Sequence, residues 1–166
     1  LSAGVRWGTT TLEGDWITMD DVMSQVATTY SETYVMDMTG AQILEMLEGV
    51  ADNLFDPDPY LQSGGDMVRV GGMDYTIAPM NGLGERISDL RLDNGEPIEA
   101  DKTYSVAGWA TVNRTPDGRL IWEIIRDYIL ANKNGDDVLS VPKINHPKVL
   151  GVSDNPGIAD YPGELA

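Results

Sequence analysis

The sequence predicts a single α/β domain in which helices lie on a mixed sheet, and three observations support this class. Apolar residues between positions 43 and 54 recur at intervals of three and four, the signature of a helix with one buried face. A second stripe of this kind runs through residues 120–132. Short runs rich in valine, isoleucine, tyrosine and threonine alternate with these stripes and are separated by glycine turns. Interleaved helices and strands favour an α/β sheet domain.

Capping residues and helix breakers predict where the helices begin and end. Thr18, with Asp21 three residues later, predicts a short helix over residues 19–25. Thr39-Gly40 is expected to cap the long helix, which ends by Asn53 because the prolines that follow bias their predecessors away from helix. Asn134-Gly135 is the expected stop of the last helix.

Two hairpins are predicted in the middle of the chain. Gly71-Gly72 suits a two-residue connection, because both central residues of such a turn can take positive φ. Asp93-Asn94-Gly95 predicts a second turn, which returns the chain along residues 97–98. The predicted strands are residues 34–38, 67–70, 73–77, 86–92 and 103–107.

The last part of the chain differs in composition from the rest. From position 142 onward, four prolines and three glycines occur in 25 residues, which predicts an extended tail that wraps a surface or leads to the natural terminus. We therefore expect a domain over residues 1–141 and a tail over 142–166. Because the chain opens at Leu1 with neither an initiator methionine nor a signal peptide, we expect it to be a piece of a longer protein.

Charge and composition exclude several classes of partner. The 166 residues include 27 acidic and 11 basic side chains, a net charge of −16, which argues against nucleic acid and against anionic membranes. Residues 1–68 carry twelve carboxylates and a single cation, Arg6. Without cysteine, disulfides and thiolate nucleophiles are excluded, and no apolar run approaches the ~20 residues of a membrane span.

The residue types needed for catalysis are scarce in this chain. His146 is the only histidine, so a histidine-rich metal site cannot be built and a Ser-His-Asp triad would depend on the proline-flanked tail. Asp56-Pro57-Asp58 lacks the glycine and the distal glutamate of a calcium loop. The sequence therefore predicts no catalytic residue and no metal site within these 166 residues.

Arg6 is the leading candidate for a binding residue. It lies between Gly4 and Gly8, where a ligand can approach closely, and a guanidinium can hold an oxyanion with two parallel hydrogen bonds. The alternative is a structural ion pair with Glu13 or Asp15, and the residues alone leave both interpretations open.

Three further residues are candidates for the same surface. Arg69 precedes the Gly71-Gly72 turn, where the simpler interpretation is an exposed cation in a strand. Trp7 and Trp109 stand in glycine-containing segments outside the helical stripes, so they are candidates for the walls of a pocket, ordinary burial being the alternative. These features by themselves indicate an oxyanion-binding domain that lacks a catalytic apparatus.

Five short motifs in order make the chain resemble the C-terminal domain of the 5′-nucleotidase superfamily over residues 1–140. They are G-x-R at 4–6, G-D-x-I-T at 14–18, T-G at 39–40, S-G-G at 63–65 and V-A-G-W-A-T at 106–111. Within the superfamily, the stretches GVRWGTT, QSGGDMVRVGGMDYT, ADKTYSVAGWATV and NPGIADYPG resemble the SoxB family of thiosulfohydrolases, and this likeness extends into the tail.

The resemblance implies properties that composition does not show. SoxB-like proteins are periplasmic, with an N-terminal metallophosphoesterase domain that holds two manganese ions and a C-terminal domain that helps to bind substrate. Their substrate is a thiosulfonate on the cysteine of the mobile C-terminal arm of the SoxYZ carrier, from which sulfate is hydrolysed. The metal ligands would belong to the N-terminal domain, so the fragment alone is expected to be inactive.

The resemblance also assigns roles to single residues. Arg6 matches an arginine that contacts the charged group of the substrate in nucleotidases, and Arg69 lies in the GGDMVRVGG stretch. Positions that supply an aromatic clamp for a base in nucleotidases are different here, around residues 28–30 and 109–111. A carrier arm is therefore the favoured ligand, and the favoured function is the substrate- and carrier-binding domain of a thiosulfohydrolase. The alternative is the same domain in a nucleotidase or another metallophosphoesterase. The third possibility is a binding module with no enzyme attached.

Overall fold

The computed structural model describes residues 1–2, 11–26, 29–110, 118–140 and 143–152, which form three helices and five strands. The helices are α1 (Met19–Ser24), α2 (Gly40–Phe55) and α3 (Ile121–Asn132). The strands are β1 (Thr33–Thr39), β2 (Met73–Ile77), β3 (Ile87–Leu92), β4 (Thr103–Trp109) and β5 (Lys148–Val149).

The strands of the described residues form two sheets that share one core with α2. Strands β1 and β4 pair antiparallel over their whole length, from Thr33 opposite Trp109 to Thr39 opposite Thr103. The other sheet has the order β3-β2-β5, with β3 antiparallel and β5 parallel to β2. The predicted α/β class with mixed sheets is confirmed. The buried core consists of Ile43, Leu47, Ala51, Met73, Tyr75, Ile77, Ile87 and Val106.

The first two helices begin as the sequence predicts. Thr18 and Thr39 each accept a hydrogen bond from the third residue of the helix, whose side chain returns to the cap backbone. Gly40 follows the cap because a Cβ there would overlap the carbonyl oxygen of Glu99. The predicted end of α2 at Asn53 is wrong, because the helix continues to Phe55 before Asp56 becomes extended ahead of the proline.

The predicted hairpin at Gly71-Gly72 is wrong. Residues 67–70 form no strand; instead Arg69 makes an isolated antiparallel bridge to Ser2, with N–H···O distances of 2.8 and 2.9 Å. Strand β2 pairs with β3 instead, and the Asp93 N–H donates to the Gly72 carbonyl at 3.0 Å. A contact with a distant part of the chain has replaced the local turn, which short-range patterns cannot reveal.

The second predicted turn and the third helix are confirmed. The Gly95 N–H donates to the Leu92 carbonyl at 2.8 Å, and the Ile98 N–H reaches Leu90 at 2.9 Å, so the chain does return beside β3. The returning segment is only a bridge, with Pro97 opposite Arg91. Helix α3 begins and ends within one residue of its prediction and stops before Asn134-Gly135.

The described part of the tail lies against the three-stranded sheet. Strand β5 extends β2 in parallel, and the Leu150 N–H donates to the Ile77 carbonyl at 2.8 Å. Lys143 and Asn145 both contact the carboxylate of Asp93, at 2.6 and 2.8 Å. The tail residues 143–152 thus wrap a surface as expected, while the domain boundary at position 141 stays a prediction. Among the described residues no helix is long and apolar enough to cross a membrane.

A buried ionic cluster joins α2 to the loop that leads into β3. The Arg86 side chain is 2% exposed, pairs with Asp52, and donates to the carbonyl oxygens of Pro79 and Phe55 at 3.0 and 2.9 Å. Glu48, on the same helix, accepts from the backbone N–H groups of Arg86 and Ile87 at 3.1 and 2.7 Å. The helix face therefore holds this loop by charge as well as by apolar packing.

Candidate functional site

Ser2 brings two of the predicted binding residues to one place. Its backbone bonds to the backbone of Arg69, and its hydroxyl accepts a 2.5 Å hydrogen bond from the indole Nε1 of Trp109. Arg69 and Trp109 are far apart in sequence, but Ser2 lies between them in the fold. The other two candidates, Arg6 and Trp7, lie outside the described residues, so their predicted role stays a prediction.

Leu1 and Ser2 contribute to two neighbouring cavities. The first, which we call the edge groove, has a volume of about 630 Å³ and runs between β4 and the segment 69–73. The second, which we call the indole cavity, has a volume of about 330 Å³ and is lined by Trp109, Tyr34, the loop 64–68 and residues of α2. Arg69 lines the edge groove and Trp109 lines the indole cavity, so the two predicted binding residues lie in adjacent cavities.

Arg69 is available to a ligand. Its side chain is 61% exposed, and its ion pair with Asp66 is long, at 3.8 Å. Among the described residues its guanidinium has no hydrogen bond, although it carries five donors. The prediction that it lies within a strand is wrong, but it is the exposed cation that the simpler interpretation expected.

The positive charge of Arg69 affects the pKa of a buried tyrosine, Tyr75. Burial raises the pKa of the Tyr75 phenol, and the nearby Arg69 charge opposes that rise. Tyr75 is only 3% exposed, so the Arg69 charge acts on a buried phenol.

The indole cavity contains residues that sequence reasoning missed. Gly108 has no side chain because a Cβ there would overlap the Tyr34 hydroxyl and crowd the Leu1 carbonyl oxygen at 2.9 Å. Ala110, directly after Trp109, has a φ of +61°, which a residue with a Cβ rarely adopts. The signal for this crowding was the glycine of the V-A-G-W segment, whereas nothing in the sequence indicated Tyr34 or Ser2.

The described residues do not fit a metal centre. No group of three or more histidine, cysteine, aspartate or glutamate side chains converges within the ranges that the structure describes. The manganese ions implied by the resemblance therefore have no ligand set in this part of the molecule, and no chemical step is assigned to a metal here.

The solved structures most useful for comparison are a thiohydrolase and two nucleotidases. The sulfate thiohydrolase SoxB of Thermus thermophilus, solved with glycerol, is 34% identical with a TM-score of 0.76, covering 92% of this chain and 28% of its own. A 5′-nucleotidase precursor, also from Thermus thermophilus, is 19% identical with a TM-score of 0.60, covering 82% and 28%. A putative 5′-nucleotidase of Staphylococcus aureus is 18% identical, TM-score 0.58, covering 80% and 30%.

Sequence comparisons agree with the structural ones. The trifunctional nucleotide phosphoesterase YfkN of Bacillus subtilis is 34% identical over 119 residues, which is 69% of this chain and 8% of YfkN. The chain thus spans less than a third of each of these relatives. The model of the 5′-nucleotidase C-terminal domain matches residues 2–122, which include β1 to β4 and α2. The resemblance to SoxB is confirmed, and this chain belongs to the 5′-nucleotidase C-terminal domain family.

Proposed function

We propose that this chain is the substrate- and carrier-binding domain of a SoxB-like sulfohydrolase, which releases sulfate from a thiosulfonate on a cysteine of the SoxYZ carrier arm. The observation that carries the proposal is the degree of likeness: 34% identity over 92% of the chain to a sulfate thiohydrolase, against 18–19% to two nucleotidases. At the lower identities the likeness concerns the fold alone. The complete enzyme would be a periplasmic hydrolase.

Arg69 suits the anionic end of such a substrate. A thiosulfonate ends in a sulfonate group whose oxygens can each accept a hydrogen bond, and a guanidinium with unused donors can supply two in parallel. Asp66, at 3.8 Å, restrains the guanidinium without saturating it. Arg6 would contribute a second cation to the same group.

Trp109 suits the arm that carries the sulfur. Its indole N–H is already bonded to Ser2, so the ring is held in place and offers an apolar face to an extended peptide. Two manganese ions held by a separate N-terminal domain would supply the activated water that attacks sulfur. The residues of this chain bind and orient the arm and exclude water.

A nucleotidase or another phosphoesterase is the second candidate. It is favoured by the 34% identity to YfkN over 119 residues, since the name of YfkN describes a nucleotide phosphoesterase. Both candidates need an arginine for an anionic group, so Arg69 does not distinguish them. They differ in what must lie beside it: a purine or pyrimidine base, or a peptide.

Calorimetric titration of the complete enzyme distinguishes the two candidates. We expect a peptide with the terminal sequence of the carrier to bind saturably but weakly, because a flexible arm loses conformational entropy as it becomes ordered. AMP is the matched competitor, with an anionic group and a base in place of the peptide. Saturable binding of AMP with no response to the peptide would contradict the sulfohydrolase proposal and support the nucleotidase.

A further inference from the structure

Some of the glycines in the described part of the chain have no reason within the fold. A glycine is needed where φ is left-handed or where a Cβ would collide with a neighbouring atom. Most described glycines meet one of these conditions, as Gly64 does with a φ of +83°. At four of them neither condition holds, and an added Cβ would meet no neighbouring atom within 4 Å. These four are Gly49, Gly65, Gly71 and Gly135.

Two of the four lie at the indole cavity. Gly65 lines it, together with Met46 and Val50 of α2. Gly49 lies on the same face of α2, because residues three and four positions apart on a helix are neighbours. A glycine in the middle of a helix makes that helix less stable than alanine would. Since the fold does not need either glycine, both leave room for a ligand to approach the backbone closely.

The backbone beside Gly65 is unpaired. From Gly64 to Val68, no N–H or carbonyl group has a hydrogen bond to a residue that the structure describes. Met67 and Val68 are half-buried and pack against the core, where backbone groups are normally paired. The run ends at Arg69, which pairs with Ser2 as a strand would. Residues 64–68 thus offer free main-chain donors and acceptors to a ligand in the cavity.

The charges at the two cavities favour an uncharged ligand for this segment. Asp66 lines the indole cavity, whereas Arg69, its partner at 3.8 Å, lines the edge groove. A carboxylate in the wall repels a sulfonate or a phosphate but does not repel an uncharged peptide backbone. The indole cavity therefore suits the main chain of a peptide, and the guanidinium of Arg69 suits an anionic group attached to it.

We propose that residues 64–68 bind the main chain of the carrier arm as an added strand, and that Gly65 and Gly49 give the arm room to approach. The inference rests on the function proposed above and names the segment that recognises the arm. An added strand is held by main-chain hydrogen bonds, and only alternate amides of the added strand face the segment that binds it. Trp109, which lines the same cavity, packs against the arm.

Gly65→Ala in the complete enzyme tests the proposal. Because the new Cβ meets no protein atom, the melting temperature should not change. Binding of a peptide with the terminal sequence of the carrier, measured by calorimetry, should weaken roughly tenfold or more, because the methyl group occupies space that the arm needs. Gly135→Ala is the matched control. Gly135 is equally open but lies after α3 and lines neither cavity, so binding and melting should both stay unchanged.

Gly49→Ala gives a second readout, in which stability and binding change in opposite directions. The melting temperature should rise, because alanine is the better helix former. Binding of the peptide should weaken, because the added methyl group narrows the approach to the cavity. A glycine with a purely structural role would not produce this combination. A rise in melting temperature with unchanged binding would overturn the role assigned to Gly49.

Peptides that are N-methylated at one amide at a time test the main-chain pairing directly. We expect affinity for the wild-type enzyme to fall at alternate amides, because only these face residues 64–68. Equal affinity for every methylated peptide would overturn the proposed pairing. If the peptide binds wild type and Gly65→Ala equally well, this inference is wrong and the sulfohydrolase proposal still stands. If the peptide does not bind the wild-type enzyme at all, both are wrong.

Discussion

Arg86 and Arg69 both lie in segments that lead into the three-stranded sheet, but their side chains have opposite environments. The Arg86 side chain is 2% exposed and engages one carboxylate and two carbonyl oxygens. The Arg69 side chain is 61% exposed and has one ion pair, with Asp66 at 3.8 Å. Both follow a glycine loop and precede a strand, so local sequence does not separate them.

The comparison shows how saturation of donors distinguishes a structural arginine from one that is free to bind. A buried guanidinium whose three nitrogens each donate to a protein oxygen, as in Arg86, is inaccessible to a ligand, and removing it takes a donor from each of those oxygens. Removing an exposed guanidinium with free donors changes the free energy of unfolding little, but it weakens the binding of an anionic ligand. Three predictions test this contrast, beginning with the largest effect.

Arg86→Leu should destabilise the protein strongly. Breaking a buried ion pair by removing one partner typically costs about 3 to 5 kcal/mol. Here, among the described residues, Asp52 would keep only the Gly84 N–H, at 3.1 Å, and the carbonyl oxygens of Pro79 and Phe55 would lose the Arg86 donor. Arg86→Lys should recover only part of this loss, since one ammonium cannot reach Asp52, Pro79 and Phe55 together.

Urea unfolding followed by circular dichroism measures these losses. Arg91→Leu is the matched control, because Arg91 pairs with Asp89 at 2.6 Å but about half of its side chain is exposed. Its loss should stay within about 1 kcal/mol. Similar losses for Arg86→Leu and Arg91→Leu would remove the distinction between the buried and the exposed arginines.

Arg69→Ala should affect ligand binding and leave the stability nearly unchanged. We expect less than about 1 kcal/mol in unfolding free energy, since the pair with Asp66 is exposed and long. In the complete enzyme, the transition-state stabilisation for the thiosulfonate-charged carrier should fall by about 1.5 to 3 kcal/mol, so kcat/KM should fall roughly ten- to 150-fold. Arg6→Ala is expected to act in the same direction.

Steady-state kinetics of Arg69→Ala, Arg69→Lys and Arg91→Ala would sharpen the assignment. The lysine variant should recover part of the rate, because it keeps the charge but loses the two-pronged contact. Arg91→Ala should leave the rate unchanged. A normal rate for Arg69→Ala, accompanied by a large fall in melting temperature, would make Arg69 a structural residue like Arg86.

The exposed hydrogen bonds from Lys143 and Asn145 to Asp93 hold the tail against the three-stranded sheet. Their loss should have the smallest effect on stability, and that effect should depend on pH. Hydrogen bonds from Lys143 and Asn145 lower the pKa of Asp93, and the bond to Asp93 raises the pKa of Lys143. The contribution of Asp93 is therefore complete above its ordinary pKa of about 3.9 and is lost as the pH falls through the lower, folded value. That of Lys143 is lost as the pH rises through its raised value.

The amide signal of Leu150 in a nuclear magnetic resonance titration reports tail docking, because its N–H bonds to Ile77 at 2.8 Å. We expect a shift toward the undocked position at acid pH, reduced by added salt because the network is exposed. Asp93→Asn should remove the acid transition. A Leu150 signal that ignores both acid and the Asp93 substitution would show that backbone pairing of β5 alone docks the tail.

Local patterns predicted the elements whose causes are local. Helices α1 and α2 begin at Thr18 and Thr39 because each cap bonds within its own first turn, and α3 follows a stripe of apolar residues. The turn at Asp93-Asn94-Gly95 is equally short in range. The family likewise could be inferred from short motifs, two of which lie at helix caps: G-D-x-I-T ends at the Thr18 cap of α1, and T-G begins at the Thr39 cap of α2.

The sequence by itself determined the α/β class, three helices, most of the strands, the acidic charge and the family. Only the tertiary structure decided that β2 pairs with β3 and β5, that Ser2 joins Arg69 to Trp109, and that Arg86 is buried. Those outcomes depend on residues distant in sequence competing for the same backbone groups and buried space. Such competition is resolved by the energy of the whole fold, so two arginines in similar local settings can have opposite environments.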